Sequence, residues 1–361
     1  MSRNKTKPCG NWCQIELSSI PPGLHRNPLH LALSLLAVIT LLLTSCNHAG
    51  AQPTPHFPAA AGWHNDQALQ VDTTTRWYRY YVPTNLKPQA PAVLLFHGGT
   101  QSMRKIFEPN AGGSQAWLTL AEQEGFLLIV PNGTNPDDGN THGDKQNWND
   151  CRLLDDAPLV SQADDVAFAT ALIDWARESF NINTKRVYAT GASNGGMIAQ
   201  RLAIETPQQF AAIATFIATL PQQINCAEQN TPVPTMIMNA TNDRFCKWEG
   251  GRIARRTGIN RSTEETVHYF KLMNQTTPTA AQTGTLPDLD PKDGTTISYQ
   301  RFLPLNSTGA EVLFYTIHNG GHCMPSRTHK LAPLARMLMG KQNHDAEGAE
   351  LAWDFLQHHS R

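Results

Sequence analysis

Short, wholly apolar runs alternate along this chain with segments whose apolar residues recur every three or four positions. The first kind reads as strand buried on both faces, the second as helix with one buried stripe. Trp77–Val82 alternates like a strand, and Ala92–Phe96 is apolar throughout. Helical spacing follows over Trp117–Glu124, then a buried strand over Phe126–Val130. Asp164–Phe180 predicts a strong amphipathic helix, with Val166, Phe168, Ala169, Leu172, Ile173 and Trp175 on or near its buried face. A strand over 186–190 leads through a Gly-rich turn into a helix ending at Glu205. Phe210–Ile217 and Thr235–Asn239 are further strands, and Ser262-Thr263-Glu264-Glu265 is a capping box that opens a helix to about Asn274. Thr295–Phe302 and Glu311–Ile317 read as the last strands, Asp345–His358 as the closing helix, and the turn-rich stretch 276–294 as a surface excursion. Such alternation predicts an α/β fold: a mainly parallel sheet with helices on both faces. No internal repeat or second set of core elements is visible, so residues 61–361 read as one domain.

The start of the chain follows a different pattern. Arg3, Lys5, Lys7 and Arg26 precede a nearly unbroken apolar stretch, Leu29–Leu43. That stretch is short for a membrane span and suits an export signal. Leu43-Thr44-Ser45-Cys46 resembles a bacterial lipobox, which makes Cys46 the expected lipidation site and residues 1–46 the signal. Ordinary cleavage near Ala49-Gly50-Ala51-Gln52 is the competing expectation, and both export the protein. With lipidation, Asn47 is the residue type that permits transport to an outer membrane. Residues 47–60, rich in Ala, Pro and Gly, read as a flexible tether. Membrane contact is expected only through this lipid anchor.

Charge excludes some partners. The chain carries 29 basic and 30 acidic residues, a formal net charge of −1, and its body has no basic run. Nucleic acid is therefore not an expected partner. Of seven cysteines, Cys151, Cys226, Cys246 and Cys323 lie in the body. An even number in an exported domain predicts two disulfides, for which the sequence allows three pairings.

The candidate chemistry centres on Gly191-Ala192-Ser193-Asn194-Gly195-Gly196, set between an apolar strand and a helix. A Gly-x-Ser-x-Gly turn in that setting forces the serine into a strained conformation above the sheet edge and aims helix N–H groups at whatever binds there. A serine hydroxyl is a poor nucleophile without a base, and the base needs an orienting acid. On such sheets the chain order is serine, acid, histidine. Asp243, in the loop after the strand 235–239, is the expected acid. His318 and His322 both lie just past the last strand, and His322, behind Gly320-Gly321, is favoured as the base. His329, His344, His358 and His359 are expected on the surface. Phe96-His97-Gly98-Gly99-Thr100 follows an early strand, so backbone N–H groups of Gly98, Gly99 or Thr100, with that of Asn194, are the expected oxyanion hole. His97 is expected to be structural.

Other features read as plain structure. Asp164-Asp165 suits a helix N-cap. Asp288-x-Asp290-x-x-Asp293-Gly294 is interrupted by Pro291 and ends on Tyr299 where a calcium loop needs glutamate, so a turn is expected. His142 and Asp144 show no metal spacing, and no nucleotide fingerprint appears. Neither a metal nor a cofactor is expected.

Taken together, Phe96–Ser102, Pro131-Asn132-Gly133, Asn147-Trp148-Asn149, Asp164–Phe168, Arg186-Val187-Tyr188 with its elbow, and Trp248-Glu249-Gly250-Gly251 are familiar. They resemble the exported polyhydroxybutyrate depolymerase-like and feruloyl esterase-like enzymes of carbohydrate esterase family one, over residues 75–325. The resemblance implies an α/β-hydrolase fold and a triad of Ser193, Asp243 and His322. The sequence departs from the family at Gly321-His322-Cys323-Met324-Pro325, where the family often has Gly-His-Thr-Trp-Pro. A Cys246–Cys323 bridge is expected to tie the acid and base loops together, leaving Cys151 with Cys226.

The function expected is hydrolysis of carboxylic esters, either of polyester or of feruloylated or acetylated plant polysaccharide. Prolyl-oligopeptidase-like peptidases share the Gly-x-Ser-x-Gly-Gly turn, but no gating propeller is visible here. A non-catalytic surface protein binding glycan or polymer is the remaining alternative, and the intact set of catalytic residue types argues against it. Trp148 and Trp248 suit either a cleft wall or buried packing.

Overall fold

Ten strands form one sheet in the order β1-β2-β4-β3-β5-β6-β7-β12-β11-β10. The computed structural model describes residues 59–109, 111–152, 161–253 and 258–361. Signal, lipobox, Cys46 and nearly all of the tether lie outside those residues.

The strands are β1 (Gly62–Val71), β2 (Thr74–Val82), β3 (Ala92–Phe96), β4 (Leu127–Pro131), β5 (Val187–Ala192), β6 (Ala212–Phe216), β7 (Thr235–Ala240), β10 (Gln282–Thr285), β11 (Thr296–Phe302) and β12 (Val312–His318). A two-residue pair, β8 (Gly251–Arg252) and β9 (Ile259–Asn260), stands apart. The helices are α1 (Ala116–Glu124), α2 (Asp165–Phe180), α3 (Asn194–Glu205), α4 (Thr263–Met273), α5 (Pro333–Met339) and α6 (Gly348–Leu356). From β4 across to β12 all neighbours run parallel, while β1, β2, β11 and β10 pair antiparallel at the two edges. This is the α/β-hydrolase arrangement that the sequence predicts.

The continuous apolar runs follow from burial on both sides. In β3, Ala92, Leu94 and Phe96 enter one core, and Val93 and Leu95 enter the other. One layer holds Phe168, Leu172 and Ile173 of α2 with Ile198 and Leu202 of α3; the opposite layer holds Trp117 of α1 and Trp353 of α6. Asp164 caps α2, its carboxylate accepting the Ala167 N–H at 2.8 Å. The capping box at Ser262 and Glu265 opens α4 as expected.

Five elements carry no clear sequence pattern. Strand β1 escapes reading because it is an edge strand of mostly polar, partly exposed residues, without the apolar alternation that marks a half-buried strand. The excursion 276–294 contains β10, which pairs with β11. The short helix α5 has no buried residue; its apolar side chains Leu334, Met337 and Leu338 are exposed, and seven residues are too few to show a period. Pair β8–β9 spans only two residues per strand. The closing helix is also shorter than 345–358, since it starts at Gly348.

Chain order places the chemistry. The sheet grows in one direction from β3 to β4 and in the other from β3 to β5, so the carboxyl ends of β3 and β5 flank a crevice. Open α/β sheets bind ligands at such a reversal. Phe96 pairs with Gly191 across it, and further along Ile317 pairs with Ala240. The loops after β3, β5, β7 and β12 therefore share one rim.

Candidate active site

Ser193 sits between β5 and α3 with φ 57° and ψ −127°. A left-handed φ is costly for a non-glycine residue and persists only where its surroundings enforce it. Here the enforcement is local: the Ser193 N–H donates to Phe216 O at 2.9 Å, and its carbonyl accepts the Met197 N–H at 2.9 Å. Glycine is required on either side. A Cβ on Gly191 would meet Phe96 O at 2.6 Å, and one on Gly195 would meet it at 2.2 Å.

His322 Nδ1 donates to Asp243 Oδ2 at 2.7 Å. The other oxygen of Asp243 accepts the N–H groups of Phe245 at 2.7 Å and Cys246 at 2.9 Å. Asp243 is 5% exposed. The base loop is pinned from behind, where Gly321 N–H donates to Lys341 O and His322 N–H to Met339 O. Phe245 packs its ring 5.0 Å from the imidazole. His318 instead bonds Ser298 Oγ at 2.8 Å, away from Asp243.

Ser193 and His322 both line a cavity of about 140 Å³ whose other walls include Gly99, Ile217, Met324, Leu331 and Met339. Among the described residues no hydrogen bond joins the His322 imidazole to the Ser193 hydroxyl. Such contacts are often long in unliganded hydrolases and tighten when substrate binds.

Of the expected oxyanion donors, two are engaged elsewhere. Gly98 N–H donates to Gln101 Oε1 at 3.1 Å, and Thr100 N–H to Asn147 Oδ1 at 2.9 Å. Gly99, which lines the cavity, keeps its N–H unbonded among the described residues. Asn194, one residue past the serine, has its side chain clamped. Its Oδ1 accepts Trp148 N–H at 2.7 Å and its Nδ2 donates to Asp150 Oδ2 at 2.7 Å.

The loop around Trp148 fastens the site together. Trp148 is fully buried, and its indole donates to His97 O at 2.8 Å. Asn149 N–H donates to Asp165 Oδ2 at 2.7 Å, and the other oxygen of Asp165 pairs with Arg76 at 2.5 Å. Burial raises the Asp165 carboxyl although Arg76 opposes it. His97 is fully buried and accepts Gly133 N–H at 3.0 Å. Burial lowers it to about 4, so it is neutral at ordinary pH. These supports were missed as a network, although each lies in or beside a segment that carried the family resemblance.

Of the two expected bridges, the structure holds one, Cys151–Cys226, whereas Cys246 and Cys323 are free, buried thiols. Cys246 Sγ lies within 4.8 Å of the donor atoms of Asp243 and His322, while Cys323 Sγ faces Lys341 O at 3.3 Å. Each thiol has its own surroundings, so no bridge ties the two loops. Burial, then the Asp243 charge, pushes the Cys323 thiol up to about 12, against the pull of Arg336.

One surface expectation also changes. His344 is 9% exposed and pairs with Asp290 at 3.2 Å, because the turn at 290–293 folds over it. Trp248 is half-buried beside Phe314 and lines a cleft next to Asp243.

Residues 67–252, just over half of the chain, match the protein family described as "Putative esterase". The bifunctional acetylxylan esterase/xylanase XynS20E of Neocallimastix patriciarum is 32% identical over 170 residues, which is 47% of this chain and 22% of that protein. The "Putative esterase NocK" of Nocardia uniformis subsp. tsuyamanensis is 27% identical over 330 residues, 84% of this chain and 86% of that one. Feruloyl esterase D of Neurospora crassa is 26% identical over 231 residues, 61% and 72% of the two chains. Among solved structures, an acetyl xylan esterase from Aspergillus awamori aligns with a TM-score of 0.46 at 15% identity, covering 70% of this chain and 93% of that one. The chain belongs to this esterase family and is a carboxylic-ester hydrolase of the α/β-hydrolase fold.

Proposed function

We propose that this esterase removes short acyl groups, acetyl above all, from a polysaccharide, with Ser193 as nucleophile, His322 as base and Asp243 as its orienting acid. His322 takes the proton from Ser193 Oγ as that oxygen attacks the ester carbonyl. The N–H groups of Gly99 and Asn194 receive the developing oxyanion, each such donor contributing on the order of 3 kcal/mol. The imidazolium returns its proton to the departing sugar hydroxyl. Water, activated by the same imidazole, then releases the acid. Asp243 holds the Nδ1–H tautomer throughout and stabilises the imidazolium.

The observation that carries the acyl assignment is the small cavity shared by Ser193 and His322, about 140 Å³. A water molecule's share of liquid volume is about 30 Å³, so the cavity takes a few heavy atoms. A feruloyl group, an aromatic ring on a three-carbon arm, would have to extend out through the open side of the cavity. Relatives named as acetylxylan esterases support the same choice. Export rests on the apolar Leu29–Leu43 stretch and Cys46, with lipidation at Cys46 the reading we favour.

The test is an ester panel of acetylated xylan, methyl ferulate and hydroxybutyrate oligomers with wild type and Ser193→Ala. Acetate release should lead the panel and vanish in the variant. Faster turnover of ferulate or hydroxybutyrate would overturn the acyl assignment, and undiminished turnover in Ser193→Ala would overturn the nucleophile.

A further inference from the structure

A second, larger opening lies next to the catalytic cavity. Helix α5 stands between them: Ala335 and Met339 line the cavity, while Pro333, Arg336 and Met337 line a cleft of about 1230 Å³. Leu331 borders both. The opposite wall of the cleft is the loop after β7, from Thr241 to Glu249, which includes Asp243. Asp243, which bonds His322, lines the cleft, so the cleft lies beside the imidazole that borders the cavity.

Charge in the cleft is one-sided. Arg244, Lys247, Arg336 and Lys341 line it against a single exposed acid, Glu249. Asp243 also lines it, but its two oxygens are occupied by His322 and two backbone N–H groups. Among the described residues Arg244, Lys247 and Arg336 enter no ion pair, and Lys341 Nζ meets only the carbonyl of Gly294, at 3.3 Å. Four cations gathered on a chain of net charge −1 repel one another and gain from an anion between them. The remaining wall is mixed: Leu331, Pro333 and Met337 on one side are apolar, and the side around the loop after β7 is polar or aromatic. Thr241, Asn242 and Asn319 offer hydrogen-bonding groups, and Trp248 is held in place against Phe314 at 6.0 Å between ring centroids. A fixed aromatic face with polar neighbours suits a sugar ring better than a polyester chain.

We propose that the cleft binds the alcohol portion of the substrate and that this portion is a carboxylate-bearing polysaccharide. The inference rests on the esterase reading above and adds the uronate groups to it. Arg244, Lys247 and Arg336 supply the counter-charge, and Trp248 the stacking surface.

The test measures calorimetric binding of deacetylated xylan carrying uronic acid groups, and of the same polymer with its carboxyls reduced to alcohols. p-Nitrophenyl acetate turnover is measured in parallel. The acidic polymer should bind about fivefold tighter or more, and molar salt, where the screening length is about 3 Å, should remove the difference. Lys247→Glu with Arg336→Glu should weaken acidic-polymer binding about tenfold and keep the wild-type melting temperature, which shows that the fold is intact. Equal binding of the two polymers, or undiminished binding by the charge-reversed protein, would overturn the proposal. So would tighter binding of hydroxybutyrate oligomers with a free carboxylate, which would assign the cations to a polyester. Loss of nitrophenyl acetate turnover in the wild type would sink the esterase reading instead, and polymer binding would still decide the cleft.

Discussion

Asp243 holds His322 with one carboxylate oxygen, at 2.7 Å, and anchors itself to the backbone of Phe245 and Cys246 with the other. The carboxylate therefore cannot swing away from the imidazole without losing two further hydrogen bonds. Replacing it by an amide should keep the shape and reverse the tautomer, because an Asn nitrogen turned toward His322 donates where the carboxylate accepts. Asp243→Asn should lower kcat about 10⁴-fold with a nearly unchanged melting temperature. A loss below tenfold, measured on nitrophenyl acetate, would remove Asp243 from the mechanism.

The elbow depends on the close approach of α3 to β3. A methyl group at Gly195 would lie 2.2 Å from Phe96 O, a backbone atom that cannot rotate aside. Gly195→Ala should therefore cost about 3 kcal/mol or more in urea unfolding, with activity lost as the serine shifts. Wild-type stability in this variant would mean that the elbow is looser than these distances require.

His97 links folding to pH. Burial lowers its pKa to about 4, below the ordinary histidine value of about 6.5. As pH falls through 6.5, the unfolded chain takes up a proton that the folded chain refuses. Stability is thus fully present above about pH 6.5 and is lost progressively toward pH 4, by on the order of 3 kcal/mol for this group. Urea unfolding between pH 7 and 4.5 should show the slope in wild type and a shallower one in His97→Asn. Identical slopes would mean that His97 is not held neutral.

Cys151 and Cys226 close a loop with a sequence separation of 75, which limits the unfolded chain. Cys151→Ser with Cys226→Ser should lose roughly 2–5 kcal/mol. Cys246→Ser with Cys323→Ser removes no cross-link, so reductant should lower its stability by as much as it lowers the wild type's. Peptide mapping of the non-reduced protein reads the same distinction, and a Cys246–Cys323 peptide would contradict it.

The parallel core was legible because β3 and β4 are apolar from end to end and β6 and β7 nearly so, a pattern that two-sided burial requires. Ser193, Asp243 and His322 were legible for a related reason: each follows a strand whose pattern is plain, and chain order then ranks the candidates. Strand β1 was not, since a mostly polar edge strand carries no apolar alternation, and helix α5 was not, since its 7 residues are too few to show a helical period. The hydrogen bonds that occupy Gly98 and Thr100 come from Gln101 and Asn147, polar residues whose side-chain direction no periodicity encodes. His344 reads as a surface histidine until the turn at 290–293 is seen to cover it. Cysteine pairing failed where it rested on nearness of loops, because a bridge depends on where each sulfur points.

The central claim is that Ser193 is an activated nucleophile. Intact-protein mass spectrometry after treatment with a fluorophosphonate, followed by mapping of the adduct, tests it most directly. One phosphonyl group per chain on Ser193, absent when His322 is replaced by Ala, is the expected result. No adduct, or an adduct on a different residue, would contradict the claim.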